Sequence, residues 1–259
     1  MMVTSRHSLR CALCSGNAAR PQHSRQPGGP GKIPSSLRRY QTAPVPHNLS
    51  TTDPRPVFPL TRETIAEKLR RPAPQPMPED KHLVTLPPEA RVTVAAVLIP
   101  LVSRDDGIRI LFTQRTAHLD DHAGQICFPG GRAEPGDASR EDTALRETEE
   151  ETGLARGSIV PLGQLPDHEM PSGFRITPIV GWIEPPLALT PDPFEVAGVF
   201  EAPLEHFIDE GNYQRREYHF RGRHRHYLAI PFEGRYIWGA TAGILYSLCR
   251  ILRADAVKK

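Results

Sequence analysis

A chain of 259 residues has room for one core of about 100–200 residues plus additional segments. Hydrophobic residues make up 38% and charged residues 24%, a globular average, and the formal net charge of +2 gives no case for nucleic-acid or membrane-surface binding. No apolar run approaches the ~18 residues of a transmembrane helix, and the stretch 94–102 is interrupted by Pro100.

Residues 1–50 contain no Asp or Glu but carry Arg6, Arg10, Arg20, Arg25, Lys32, Arg38 and Arg39 among many Ser, Pro and Gly. Such a segment buries too little apolar surface to offset its ordering entropy, so residues 1–55 are expected to form a disordered leader. An Arg-rich, acid-poor leader also suits a transit peptide to the mitochondrial matrix. With no amphipathic stripe in it, a nonfunctional leader on a cytoplasmic protein is the preferred reading. Cys11 and Cys14 form a C-x-x-C with no second pair to complete a zinc site and read as incidental spacing. Cys127 and Cys249 sit among apolar residues and read as small buried hydrophobes. Four cysteines are few for a disulfide framework and favour a reducing compartment.

Residues 56–90 are expected to hold a short helix and a Pro-rich linker. Thr61 can cap the helix, Ile65 and Leu69 share a face, and Pro72 ends it. The compact domain is expected over 91–253. A buried strand at 92–102, a turn at Asp105-Asp106-Gly107 and a returning strand at 108–114 form a hairpin. A loop leads to Phe128-Pro129-Gly130-Gly131, then a helix over 139–152 with Ser139 and Asp142 at capping-box spacing and Gly153 at its stop. Strands at 159–165 and 176–183 follow, then a turn or short helix at 194–199. A hairpin turns at Arg221-Gly222, and a last helix spans 241–253 with Ile244, Leu245, Leu248, Ile251 and Leu252 on one face. Strands mixed with two substantial helices predict an α/β sandwich.

The chemistry concentrates in FPGGRAEPGDASREDTALRETEEETGL, residues 128–154. On a helix Glu147 and Glu151 are i,i+4 and Glu150 is i,i+3 from Glu147, so three carboxylates share a face. Mutual repulsion makes that arrangement costly unless cations sit there, and hard divalent ions prefer oxygen ligands. Gly130-Gly131 permits a tight loop beside the helix, and Arg146 can anchor that loop or orient a glutamate by a bidentate bond. A solvated acidic face is the plainer reading of RETEEE alone; the glycine loop before it and Gly153-Leu154 after it shift the balance.

The segment resembles the Nudix box, G-x5-E-x7-R-E-U-x-E-E-x-G-U. Residues 146–154 match its second half, with Thr148 in place of the aliphatic residue U. The first half departs: the glutamate position falls on Ala138, and the nearest acid is Asp137, one residue further from Arg146. That shift resembles the coenzyme A diphosphatase subgroup, whose upstream pattern L-L-[ST]-x-R-[SA]-x3-R-x3-G-x3-F-P-G-G is similar to LFTQRTAHLDDHAGQICFPGG at 111–131. Leu111, Thr113, Arg115, Gly124, Phe128, Pro129, Gly130 and Gly131 fit it, whereas Phe112, Thr116 and Asp120 do not. The 236–242 segment YIWGATA also resembles bacterial members of this subgroup.

The resemblance implies the Nudix fold, a mixed β-sheet sandwiched between α-helices, with Mg²⁺ or Mn²⁺ as cofactor. It implies Glu147, Glu150 and Glu151 as metal ligands and catalytic residues together with Arg146, and Arg115, Gly124, Phe128, Gly130 and Gly131 as substrate-binding. The implied reaction is hydrolysis of the coenzyme A diphosphate to 4′-phosphopantetheine and adenosine 3′,5′-bisphosphate. Two alternatives stay open: hydrolysis of another nucleotide such as ADP-ribose or a nucleoside triphosphate, and a Nudix-fold binding module without catalysis. The expected partner is a small nucleotide, with no nucleic acid and no membrane; a homodimer is left open.

Weaker features read structurally. Glu195 is a helix-start carboxylate more than a base. The basic patch of Arg215, Arg216, Arg221, Arg223 and Arg225 with His219, His224 and His226 is an outward-facing hairpin. His118, His122 and His168 are solvated loop histidines.

Overall fold

The structure, a computed structural model, describes residues 60–72, 92–117, 124–170, 172–220 and 223–254. The leader, Cys11 and Cys14, most of the linker, Asp120, His118, His122 and the Arg221-Gly222 turn lie outside the described residues.

Helix α1, Arg62–Arg70, is capped as expected: Thr64 N donates to Thr61 Oγ1, and Thr61 N donates to Thr64 Oγ1 at 2.8 Å. Strands β1 (Thr93–Arg104) and β2 (Gly107–Arg115) form the hairpin. Two short strands follow, β3 (Ile126–Cys127) and β4 (Gly130–Arg132), then helix α2, Arg140–Thr152. Next come β5 (Ile159–Gln164), β6 (His168–Glu169), β7 (Phe174–Ile183) and β8 (Val196–Pro203). The chain ends with α3 (Leu204–Ile208), β9 (Gln214–Phe220), β10 (Arg223–Phe232), β11 (Arg235–Trp238) and α4 (Ala240–Arg253).

The main sheet has the order β3-β2-β1-β7-β5, with β4 also on β1, β6 on β7 and β8 on β2. It is mixed because β1 and β7 run parallel while the other pairs are antiparallel. A second sheet has the order β11-β10-β9.

Strand β1 is apolar almost throughout because both its faces are covered. Ala95, Val97, Ile99 and Leu101 face one core with Ile110, Phe112, Ile176, Val180, Leu245 and Leu248, roofed by α1 and α4. Ala96, Leu98 and Val102 face the other with Leu111, Ala144, Ile179 and Ile183, under α2. The expected sandwich is what the chain forms.

Pro100 does not break this central strand. On one edge β1 pairs with β4 up to Val97 and with β2 from Leu101, so Pro100 falls in the gap, where no ladder donor is required on that side.

Two expectations are corrected. Residues 194–199 are not a turn or short helix as a whole: a turn at 193–195 gives way to β8, which pairs along β2. His168 is not a loop residue. It lies on β6 against α4, where a Cβ at Gly243 would meet its Cε1 at 2.7 Å, and burial pushes its pKa down to about 4. Cys127 and Cys249 are buried and outside any disulfide, as expected. Among the described residues no helix is long and apolar enough to cross a membrane.

Candidate active site

The site is built where β4 passes under α2. Ser139 caps the helix by accepting from Asp142 N at 3.1 Å, while the Asp142 carboxylate accepts from Ala138 N rather than closing a reciprocal box. Gly153 ends the helix in the left-handed region, φ 73°. The face that α2 buries is sparsely apolar: Thr143, Ala144, Glu147, Thr148, Glu151 and Thr152. Thr148 and Thr152 make this tolerable by donating to the carbonyls of Ala144 and Thr148, at 2.7 and 2.6 Å.

Two of the three expected carboxylates are buried beneath the helix and one is at its rim. Glu147 is 4% and Glu151 5% exposed, whereas the Glu150 side chain is 51% exposed. Gly131 makes this close packing possible, because a Cβ there would collide with the Glu147 carboxylate. Gly130 has φ 151° and would place a Cβ against the β1 backbone; its N–H donates to Glu151 Oε2 at 3.4 Å.

Arg146 ties the arrangement together. Its Nε and Nη2 donate to the two oxygens of Asp137 at 2.8 and 3.0 Å. Nη1 donates to Glu147 Oε1 at 2.9 Å and Glu150 Oε2 at 3.2 Å, and Nη2 also donates to the Arg132 carbonyl at 3.0 Å. The Asp137 carboxylate further accepts from Thr143 Oγ1 and Glu134 N. The hydrogen bond from Arg146 holds Asp137 far below the usual carboxylate range and raises the Arg146 pKa in turn.

Sequence reasoning did not place Asp137 in the site. Its signal was the acid displaced by one position from the family pattern; the longer spacing is spanned because Asp137 sits in the loop before the helix and reaches back to Arg146.

The donor set suits a divalent cation. All its ligating atoms are carboxylate oxygens, and one guanidinium is shared among Asp137, Glu147 and Glu150, with Glu151 adding a further negative charge. As they stand, no three acidic, His or Cys side chains among the described residues are close enough to share one ion. Glu147 and Glu150 point toward Arg146, and Glu151 points toward the Gly130 amide.

The upstream candidates gather at the base of the loop leaving β2. Arg115 N donates to Gln125 O at 3.0 Å and Gly124 N donates to Arg115 O at 3.2 Å, pinching the loop shut. Thr116 fastens it to the segment before β8, donating from N to Glu195 O and from Oγ1 to Phe194 O at 2.8 Å. That segment in turn meets the end of α2 through Asp192 N and Glu151 O, 3.0 Å apart. Arg115 is buried and Gly124 exposed. The Phe128 side chain is not at the site: it is fully buried and stacked on Phe112, ring centroids 5.3 Å apart. An aromatic ring gains more from the core than from solvent, and this one anchors the start of the glycine turn.

A family model described as the NUDIX domain matches residues 92–222. The chain belongs to the Nudix family. The Nudix match ends within the β9–β10 hairpin, so α1, β11 and α4 lie outside it. Relatives include the uncharacterised Nudix hydrolase NudL of Yersinia enterocolitica, 43% identical over 157 residues, covering 60% of this chain and 80% of that one. NudL of Yersinia pestis is 41% identical over 157 residues, covering 60% and 78%. Among solved structures, a MutT/nudix family protein from Enterococcus faecalis is 18% identical, with a TM-score of 0.38 over 74% of this chain and 73% of that chain. The MutT protein of Methanosarcina mazei is 22% identical, with a TM-score of 0.37 over 46% and 83%. As a Nudix hydrolase the chain acts on phosphorus anhydrides of small nucleotides, in a family that uses divalent metal ions.

Proposed function

We propose that this Nudix hydrolase cleaves the diphosphate of coenzyme A or its derivatives, giving 4′-phosphopantetheine and adenosine 3′,5′-bisphosphate. The observation that supports the reading is the pinched loop. Arg115 and Gly124, two positions of the upstream pattern that resembles the coenzyme A subgroup, hydrogen-bond to each other at the loop base, one short strand before the glycine turn. A pattern whose separated members meet at one loop base, tied through Thr116 and the segment 192–195 to the end of the carboxylate helix, has a reason to be one pattern.

Glu147, Glu150 and Glu151 are the residues that would hold Mg²⁺ or Mn²⁺. Bound there, the metal would supply acidification of a water and neutralisation of charge on the phosphoryl oxygens. The chain's own contribution is positional. Asp137 fixes Arg146, Arg146 fixes Glu147 and Glu150, and Gly131 lets Glu147 lie against β4. Domain bounds of 91–253, with α1 packed on from before, and a cytoplasmic location go with this proposal.

The experiment is a side-by-side kcat/KM for coenzyme A, dephospho-coenzyme A and ADP-ribose with Mg²⁺, with the products identified. Coenzyme A should lead and should yield the two stated products. ADP-ribose leading by a wide margin would remove the coenzyme A reading and leave the hydrolase.

A further inference from the structure

Strand β4 carries two neighbouring residues with opposite surroundings. Gly131 faces α2 and the Glu147 carboxylate. Arg132, the next residue, faces the other side of the sheet, because successive side chains of a strand alternate. Its partner in the ladder is Ala95, whose partner is Ile176, whose partner is His168. Those residues form one row across four strands, on the face covered by α4.

On that face the Arg132 guanidinium lies over the Phe174 ring, 5.3 Å from its centroid. Among the described residues no carboxylate or carbonyl meets it, and its Nε is buried without a hydrogen-bond partner. The turn just before Phe174, closed by Gly173 N donating to Met170 O at 2.9 Å, carries the Ser172 hydroxyl, also buried without a partner. His168 is the other polar group of the row, and its ring has no hydrogen bond among the described residues.

A buried guanidinium nitrogen and a buried hydroxyl left unmade are costly, and a guanidinium fork matches the planar, bidentate approach of a phosphate. Other arginines of the domain are spent: Arg104 on Glu201, Arg146 on Asp137, Arg156 on Glu149 and Arg175 on Glu169. Arg132 is also tied to the site, since its carbonyl accepts from Arg146 Nη2.

We infer that Arg132 binds a second phosphate of the substrate, one that is not cleaved and that lies across the edge of β4 from the carboxylates, with Ser172 as an added donor. The anhydride undergoing hydrolysis belongs on the Glu147 side. A ligand reaching both sides needs two separate anionic groups, as in a nucleotide phosphorylated on its ribose as well as at its 5′ end. This rests on the proposed function and narrows it: an ADP-ribose-like substrate has no group for Arg132.

The test is equilibrium binding by calorimetry, without metal, of adenosine 3′,5′-bisphosphate and adenosine 5′-phosphate. The wild type should prefer the bisphosphate by about tenfold, the size of one charge-assisted contact. Arg132→Gln should reduce that preference to less than about twofold, with adenosine 5′-phosphate affinity little changed. Arg132→Lys, which keeps the charge but not the fork, should fall between. The inference is overturned by a wild type that binds both nucleotides equally, by a preference that survives Arg132→Gln, or by that variant weakening both ligands alike. Should Arg132→Gln fail to fold, Arg132→Lys carries the test, and a wild-type or vanished preference in it would overturn the inference. Because binding needs no turnover, the two readings fail separately. Turnover of coenzyme A by a wild type without the preference removes Arg132 and spares the substrate. The preference in an enzyme that favours another substrate does the reverse.

Discussion

The two oxygens of Asp137 lie opposite Nε and Nη2 of Arg146, 2.8 and 3.0 Å away, with the side chains only 4% and 11% exposed. This bidentate pair stands outside the three glutamates proposed as metal ligands, yet it determines where two of them point. Asp137→Asn should keep the shape, weaken the hold on Arg146, and lower kcat/KM about 10-fold or more, the range for a residue acting through a metal ligand. The midpoint of Mg²⁺ activation should rise with it. Stability should fall by about 2 kcal/mol, less than the ~3–5 kcal/mol of a broken isolated buried pair, because Arg146 keeps Glu147 and Glu150. An unchanged Mg²⁺ midpoint would reduce Asp137 to a purely structural role.

The same pair sets a pH dependence. Asp137 has a folded pKa below its unfolded value of about 3.9, so its contribution is fully present above that value and is lost as pH falls toward the folded one. The thermal midpoint of the wild type should therefore drop on acidification below about pH 4. Asp137→Asn should show a shallower drop over that window. Parallel curves for the two proteins would contradict the assignment.

Gly131→Ala tests the close approach of β4 to α2. The added methyl meets the Glu147 carboxylate, the movable end of a side chain, rather than backbone. Turnover at limiting Mg²⁺ should fall about 10-fold or more, as Glu147 is pushed from its place, while excess metal restores part of it. A fall in Tm with normal Mg²⁺ dependence would mean that the backbone moved instead.

Glu151→Gln should reduce turnover by on the order of 10² with the fold intact, and chelation of divalent ions should abolish turnover in the wild type. Near-normal rates in a folded Glu151→Gln would sink the placement of Glu151 among the ligands.

Two truncations separate the leader from the domain. A chain beginning at Asp53 should fold and keep its activity. A chain beginning at residue 73 loses α1, and with it Ile65, which is fully buried in the main core. It should lose roughly 3 kcal/mol or more, as for deletion of a large core side chain. Equal melting temperatures for the two would show that α1 is dispensable.

Much of this fold was legible where local signals are strong. The β1–β2 hairpin has its Asp-Asp-Gly turn, α1 its Thr61 cap, α2 its Ser139 and Gly153, and α4 its apolar face. Strand β8 was not legible, because VAGVFEAP shows no alternation between buried and exposed positions and is specified by its partner β2. The short strands β3, β4 and β6 each exist through one neighbour and have no period to read. In the site, the shared face of the three glutamates was visible from helical spacing. The orientation of their oxygens toward Arg146 and Gly130 was not, nor was the core position of Phe128, because loop direction is decided by packing distant in sequence.

The parallel pairing of β1 with β7 has a consequence in time. Thr93 finds Phe174 only after the hairpin, the carboxylate helix and four further strands have been made. The core under α4 cannot close until the last helix exists, and α1 then packs beside it from the opposite end of the chain. Closing such long loops before their contacts repay the entropy makes folding slow. On the ribosome β1–β4 and the carboxylate helix would emerge well before β7 and α4, which complete the sheet and its far core, so hydrolytic competence should arrive late, after the C-terminal segment is released.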